Sequence, residues 1–138
     1  MSSIDFEIPI GSVCVDEFLV KEEHAARHIG SGEASVLSTP SMIAFIEKTS
    51  ASCIHKHLPQ EYTTVGTLVN VRHLKPAPIG STIKVEAKIA ARDGRRITCE
   101  VKAYFGDILI GEGIHERFIV HRGRFAERAK KVSDTQNK

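Results

Sequence analysis

The chain has 138 residues, 41% of them hydrophobic and 26% charged, which is typical of one globular domain. A net charge of +2, an aromatic content of 6% and the absence of any long apolar run argue against nucleic-acid binding and a membrane span. The opening residues, MSSIDFEIPIG, lack the basic and apolar regions of a signal peptide. We therefore expect one domain over residues 1–138, located in the cytoplasm.

The first predicted elements are short. Weak alternation over Val13–Val20 predicts a strand, Lys21–Ile29 is compatible with a helical turn, and Gly30–Ser35 is a flexible segment. We expect this segment to lead into the main helix of the domain.

A long helix is predicted over Ser38–His57. Ser38 or Thr39 can cap its first turn, and Pro40 has no hydrogen bond to lose there. The helix is apolar on nearly all sides, so we expect other structure to surround it. The carboxylate of Glu47 is unexpected in such a helix, and we interpret it as either paired or functional.

Long strand-like segments follow the helix. They are Thr63–Leu74, Ser81–Ala91, Arg95–Phe105 and Ile108–Val120. Asp93-Gly94 predicts a tight hairpin between the second and third of these strands, and Gly106-Asp107 predicts another turn. The polar residues Arg122–Lys138 are interpreted as a frayed tail, which leaves a core of about residues 12–121.

The alternation of the first long strand assigns its side chains to two faces. Val65, Val69 and Val71 share a face with His73, whereas Gly66 falls on the opposite face. Because the apolar face must cover the helix, we expect His73 to point at it.

A buried helix followed by antiparallel strands indicates an α+β fold. A curved antiparallel sheet wrapped around one central helix resembles the hotdog fold, which usually dimerises by pairing sheets edge to edge. We accordingly expect a homodimer or a dimer of dimers.

The cysteines and histidines suggest no metal site. Cys14, Cys53 and Cys99 are too widely spaced for a zinc motif or a disulfide framework, so we interpret them as buried thiols in a reducing compartment. His55 and His57 lie two residues apart, and such positions do not face each other on a helix. We expect no bound metal.

Several motifs resemble the fluoroacetyl-CoA thioesterase family of hotdog proteins. They are Thr39 and Glu47 eight residues apart, the strand GTLVNVRH from Gly66 to His73, the hairpin DGRR, and the run GIHER that ends at Arg117. The resemblance spans about residues 12–128. It implies a catalytic set of Thr39, Glu47 and His73, assisted by Gly66 and Arg117, that hydrolyses an acyl-CoA thioester without a cofactor other than the coenzyme A of the substrate.

The segment between Ile29 and Thr39 departs from this resemblance. The fluoroacetyl-specific member has a longer insertion there with phenylalanines, whereas this segment is short and has no aromatic residue. We therefore expect a small or medium acyl group, or an aryl one, instead of fluoroacetyl.

The residues suit the chemistry of thioester hydrolysis. Glu47 can act as a base or as a nucleophile, and His73 can deliver a proton to the leaving thiolate. Thr39 can orient water or attack directly. Gly66 allows the carbonyl to approach a backbone N–H group, and Arg117 can bind a polar acyl end or a coenzyme A phosphate.

Each of these residues also has a structural interpretation. Thr39 can be a helix cap, Glu47 a paired carboxylate, and His73 a core histidine. Gly66 can mark a bulge, and Arg117 can form a surface ion pair. A non-catalytic acyl-CoA-binding or regulatory hotdog domain is the alternative function.

The spacing of Thr39 and Glu47 limits the geometry of a site. Eight helical residues rise about 12 Å, so the two side chains cannot touch on one regular helix. Either Thr39 lies before the helix and folds back toward Glu47, or the active site is shared between two subunits. We expect the shared site.

Overall fold

A computed structural model describes residues 6–136 of the chain. Its strands are β1 (Val13–Leu19), β2 (Tyr62–His73), β3 (Thr82–Asp93), β4 (Arg96–Phe105) and β5 (Ile108–His121). Its helices are α1 (Ala26–Ile29), α2 (Thr39–His55) and α3 (Arg122–Gln136), and a single 3₁₀ turn covers Glu22–His24. The predicted order of elements is confirmed up to the end of β5.

The strands form one antiparallel sheet in the order β1-β3-β4-β5-β2. Gly94 and Gly106 have φ angles of +61° and +59°, so each supplies the left-handed residue that its tight turn requires. Among the strands of residues 6–136, β2 lies at one edge of the sheet and pairs with β5 alone.

The helix α2 packs on one face of the sheet and contacts every strand. Its buried side chains include Met42, Phe45 and Ile46, which belong to one core cluster with the alternating apolar residues of β3 and β4. An exposed stripe on the helix consists of Ala44, Lys48 and Ser52. The expectation that other structure surrounds the helix on all sides is therefore wrong for this chain on its own. A sheet packed against one central helix confirms the predicted α+β class.

A bulge in β2 changes the predicted assignment of its faces. Gly66 pairs with Arg117 and Leu68 with Glu116, which leaves Thr67 as an extra residue. Residues directly opposite one another share a face, so Gly66 lies on the buried face with Arg117. Val69, opposite His115, and His73 further along also lie there. Strict alternation was therefore wrong in placing Gly66 and His73 on opposite faces.

Two of the cysteines form a disulfide, which corrects the prediction of three free thiols. Cys14 on β1 and Cys53 on α2 are bonded, with their Cα atoms 5.7 Å apart. Spacing along the chain could not reveal this pair because the packing of α2 against the edge strand brings the two residues together. Cys99 is the buried free cysteine, and burial raises the pKa of its thiol to about 11.

The C-terminal residues form the helix α3 instead of the predicted frayed tail. Eight of its fifteen residues are Ala, Arg, Lys or Glu, which favour helices, and it has no proline. Its described residues are exposed, in keeping with the predicted polar character. The predicted domain bounds also include residues 1–5 and 137–138, which lie outside the described residues. No helix within 6–136 is long and apolar enough to cross a membrane.

Candidate active site

The start of α2 places a hydroxyl against an imidazole. Ser38 is the N-cap, and its Oγ accepts a hydrogen bond from the Ser41 N–H at 3.1 Å. Thr39 is therefore not needed as the cap, and its Oγ1 lies 2.8 Å from Nδ1 of His73 at the end of β2. This contact joins two of the predicted catalytic residues within one chain.

The environment of His73 favours a neutral ring. Burial lowers the pKa of the His73 imidazole, and an interaction with the Lys75 backbone opposes this in part. Its Nε2 atom is buried and has no hydrogen-bond partner among the described residues. A neutral imidazole whose Nδ1 faces a hydroxyl can accept the proton of that hydroxyl.

An open cleft of about 320 Å³ adjoins this pair. It is lined by Thr39 and His73 together with Ala26, Ser31, Val36, Leu37, Ser38, Leu74, Lys75 and Pro76. The short segment before α2 therefore forms one wall, and no Phe, Tyr or Trp side chain is among the lining residues.

Glu47 faces a second group of residues. Its Oε2 lies 3.6 Å from Nη1 of Arg117, and the side chains of Glu47 and Arg117 are 42% and 9% exposed. Glu47 is therefore only half-buried in the single chain, whereas we expected it to be surrounded. Burial lowers the pKa of Arg117, and the Glu47 carboxylate opposes that shift. The buried guanidinium is placed to hold Glu47, which favours this role over a direct contact with a coenzyme A phosphate.

Gly66 lies directly against this ion pair. A Cβ atom at Gly66 would lie 2.7 Å from Oε2 of Glu47 and 3.3 Å from Nη1 of Arg117. Real Cβ atoms essentially never come as close as 2.7 Å to a heavy atom to which they are not bonded. The glycine therefore allows the carboxylate to approach the backbone of β2. The alternative interpretation, that Gly66 marks a bulge, also agrees with the structure, because the bulge directly follows Gly66.

Sequence reasoning missed three residues that surround Arg117. Thr64 accepts hydrogen bonds from Nε and Nη2 of Arg117, through its hydroxyl at 2.7 Å and its carbonyl at 3.0 Å. His115 Nε2 lies 3.1 Å from Arg117 Nη1, and His55 Nε2 lies 2.9 Å from the Thr64 hydroxyl. The contact between His115 and Arg117 could have been predicted, because residues two apart on one strand lie on the same face.

The predicted catalytic residues form two separate groups in one chain. Thr39 contacts His73, whereas Glu47 contacts Arg117 beside Gly66. Thr39 and Glu47 both lie on α2, where eight residues rise about 12 Å. The described contacts therefore do not assemble Thr39, His73 and Glu47 into one triad. Within residues 6–136, no cluster of His, Cys, Asp and Glu side chains could hold a metal ion.

Comparison with known proteins identifies relatives of the whole domain. Residues 20–123 match the family model of the fluoroacetyl-CoA-specific thioesterase. The fluoroacetyl-CoA thioesterase of Streptantibioticus cattleyicolor is 29% identical over 122 residues, which cover 84% of this chain and 88% of that protein.

Solved structures show the same architecture. A fluoroacetyl-CoA thioesterase structure superposes with a TM-score of 0.85 at 27% identity, covering 91% of this chain and 97% of the other. A thioesterase superfamily member from Thermus thermophilus gives a TM-score of 0.88 at 26% identity, covering 95% of this chain and 97% of the other. A hot-dog-like protein from Thermanaerovibrio acidaminovorans, 18% identical with a TM-score of 0.83, covers 91% of this chain and 93% of its own and shares the fold. The predicted hotdog fold is confirmed.

Proposed function

Since this chain belongs to the fluoroacetyl-CoA-specific thioesterase family, we propose that it hydrolyses a small or medium acyl-CoA thioester at a site shared by two subunits. The chain is an acyl-CoA thioester hydrolase, in agreement with its relatives. The observation that carries the proposed mechanism is the 2.8 Å contact between Thr39 Oγ1 and His73 Nδ1.

In the proposed mechanism, Thr39 is the nucleophile. Its hydroxyl transfers a proton to neutral His73 as Oγ1 attacks the thioester carbonyl, and His73 then gives that proton to the departing thiolate of coenzyme A. The lowered pKa of His73 supports both steps because it keeps the imidazole unprotonated before attack and acidic afterwards. The N-terminus of α2 lies beside the site and stabilises the developing negative charge.

Glu47 takes a proton from water as that water attacks the acyl ester on Thr39, and the proton then passes to Oγ1 of Thr39 as the carboxylic acid departs. Arg117 and Gly66 hold the carboxylate against β2, and its exposed side remains accessible to water and substrate. Neither a metal nor another cofactor is required by this scheme, because the side chains themselves supply the nucleophile and the bases.

A homodimer brings the two groups together. Within the described part of the chain, the outer side of the edge strand β2 is unpaired, and Leu68 and Val69 are exposed near its centre. Such an edge is prone to pair with another strand. Antiparallel pairing of β2 with a second copy, centred near Asn70, places Gly66 of one chain beside His73 of the other. Each active site then combines Thr39 and His73 of one subunit with Glu47 of its partner.

The acyl group is proposed from the cleft beside Thr39. Its wall contains the small side chains of Ser31 and Val36 and no aromatic residue. This open wall supports a small or medium acyl chain, or an aryl group, without a specific preference for fluoroacetyl. We also propose a cytoplasmic location, because acyl-CoA thioesters are made and consumed inside cells. The Cys14–Cys53 bond is then an exception to the reduced thiols that are usual in that compartment.

Thiol release from a panel of thioesters tests the proposal. Acetyl-, fluoroacetyl-, butyryl-, octanoyl- and benzoyl-CoA are offered to the wild type and to the Glu47→Gln and His73→Ala variants. We expect turnover by the wild type and a loss of about 100-fold or more in each variant. Circular dichroism serves as the control for folding.

Two other results would overturn parts of the proposal. Tight binding of acyl-CoA without turnover on any thioester would indicate a non-catalytic binding domain. If turnover survives both substitutions, the chain is still a thioesterase, but Glu47 and His73 are not its catalytic residues.

A further inference from the structure

We infer that Thr64, His55 and His115 are positioning residues that fix the guanidinium of Arg117 against Glu47. This inference rests on the proposed function, since it concerns the residues behind the same site. Thr64 and His115 contact Arg117 directly, and His55 acts through Thr64.

The hydrogen bonds of Arg117 determine the protonation of His115. Arginine can only donate, so Nε2 of His115 must accept from Nη1 at 3.1 Å. The carbonyl of Leu68 can only accept, so Nδ1 of His115 donates to it at 2.9 Å. His115 is therefore a neutral imidazole that connects the bulge of β2 to Arg117.

His55 is fixed by the same argument. The backbone N–H of Thr64 donates to Nε2 of His55 at 3.2 Å, so that nitrogen carries no proton. The Thr64 hydroxyl, 2.9 Å from the same nitrogen, is a second donor that shares its single lone pair, and the hydroxyl oxygen is left free to accept from Arg117 Nε at 2.7 Å. His55 thereby orients the hydroxyl toward the guanidinium.

These contacts leave Arg117 little freedom. His115 is fully buried, and counted as whole residues Thr64 and Arg117 are 5% and 7% exposed. The guanidinium is hydrogen-bonded at Nε, Nη1 and Nη2, and Nη1 also faces Oε2 of Glu47 at 3.6 Å. A small displacement of a catalytic group reduces the rate of the reaction. Thr64 and His115 hold Arg117, and Arg117 holds Glu47, so losing either partner should lower the rate by displacing Glu47.

Matched substitutions separate positioning from simple packing. Thr64→Val removes the hydroxyl while keeping the shape, and Thr64→Ser keeps the hydroxyl. His115→Asn retains a donor for the Leu68 carbonyl but cannot reach Arg117, whereas His115→Gln retains an acceptor for Arg117. His55→Leu and His55→Gln form a third pair.

Each substitution is measured alone and together with Arg117→Ala. We expect Thr64→Val, His115→Asn and His55→Leu to lower kcat/KM by about 10-fold or more with Arg117 present, and by less than about twofold in its absence. Thr64→Ser, His115→Gln and His55→Gln should stay within about threefold of wild type. Thr82→Val, at the exposed start of β3, is the control for removing a threonine hydroxyl elsewhere.

An NMR measurement tests the network without activity. The Arg117 Nε–H signal should be protected from exchange in the wild type and in Thr64→Ser, and should exchange rapidly in Thr64→Val. Absence of turnover by the wild type would count against the proposed function, whereas this signal would still report on Arg117. Equal rate losses with and without Arg117, or a signal unchanged by Thr64→Val, would overturn the inference.

Discussion

The Thr39 hydroxyl and Nδ1 of His73 lie 2.8 Å apart, which joins the first turn of α2 to the last residue of β2. The two residues are 34 positions apart in the chain. The contact exists because Ser38 caps the helix and leaves Thr39 free to face the sheet.

The first prediction concerns the hydroxyl of that pair. Thr39→Ala should reduce kcat by about 100-fold or more because the nucleophile is removed, whereas Thr39→Ser should retain activity within about tenfold. Steady-state thiol release measures both variants. Mass spectrometry of the quenched wild type should find the acyl group on Thr39, and an acyl group on Glu47 would contradict the assigned nucleophile.

The second prediction tests whether subunits share the active site. Thr39→Ala and Glu47→Gln should each be inactive alone, because every site then lacks one catalytic residue. Mixing and reassembling the two proteins should restore up to about a quarter of wild-type activity, since half of the sites in mixed dimers are intact. A mixture that stays inactive, although exchange of subunits is demonstrated, would place the whole site within one chain.

The third prediction concerns the close approach at Gly66. Gly66→Ala should lower kcat/KM by about 10- to 100-fold, because its Cβ would displace a carboxylate oxygen that lies 2.7 Å from its position. Gly123→Ala is the matched control, since a Cβ there meets its nearest neighbour at an ordinary 3.5 Å. Equal activity in the two variants would mean that Glu47 does not need its present position.

The fourth prediction is a pH dependence. Burial lowers the pKa of His73 from 6.5, so the neutral ring persists to more acidic pH than in a free histidine. Activity should therefore be present above this lowered pKa and lost as the pH falls through it, with a midpoint below 6.5. Because the pKa values of His55 and His115 are also lowered, NMR titration of the His73 ring must accompany the rate profile. A midpoint for His73 at neutral pH or above would contradict the proposed base.

The fifth prediction concerns the cysteines. Under native conditions none should react with a thiol reagent, because Cys14 and Cys53 are bonded and Cys99 is buried with a pKa of about 11. Unfolding without reductant should expose one reactive thiol, and unfolding with reductant should expose all three. Reduction should lower the free energy of unfolding by about 3 kcal/mol. Three reactive thiols without reductant would mean that the disulfide does not form in solution.

Local features of the sequence were sufficient to predict most elements of the fold. Ser38 and Pro40 marked the start of α2, alternation marked β3 and β4, and Asp93-Gly94 marked their hairpin. Such signals depend on residues a few positions apart, which interact whatever the rest of the chain does. The polar C-terminal segment was misjudged because it has no apolar periodicity, although its residues favour a helix.

The sequence by itself determined the α+β class, the central helix and the residue types of the site. Only the tertiary structure decided how these residues meet. The bulge at Thr67 brings Gly66 onto the face of His73, packing of α2 against β1 joins Cys14 to Cys53, and β5 carries Arg117 to Thr64. These contacts depend on strand register and on helix packing over many residues, and one extra residue in a strand reverses the faces that follow it.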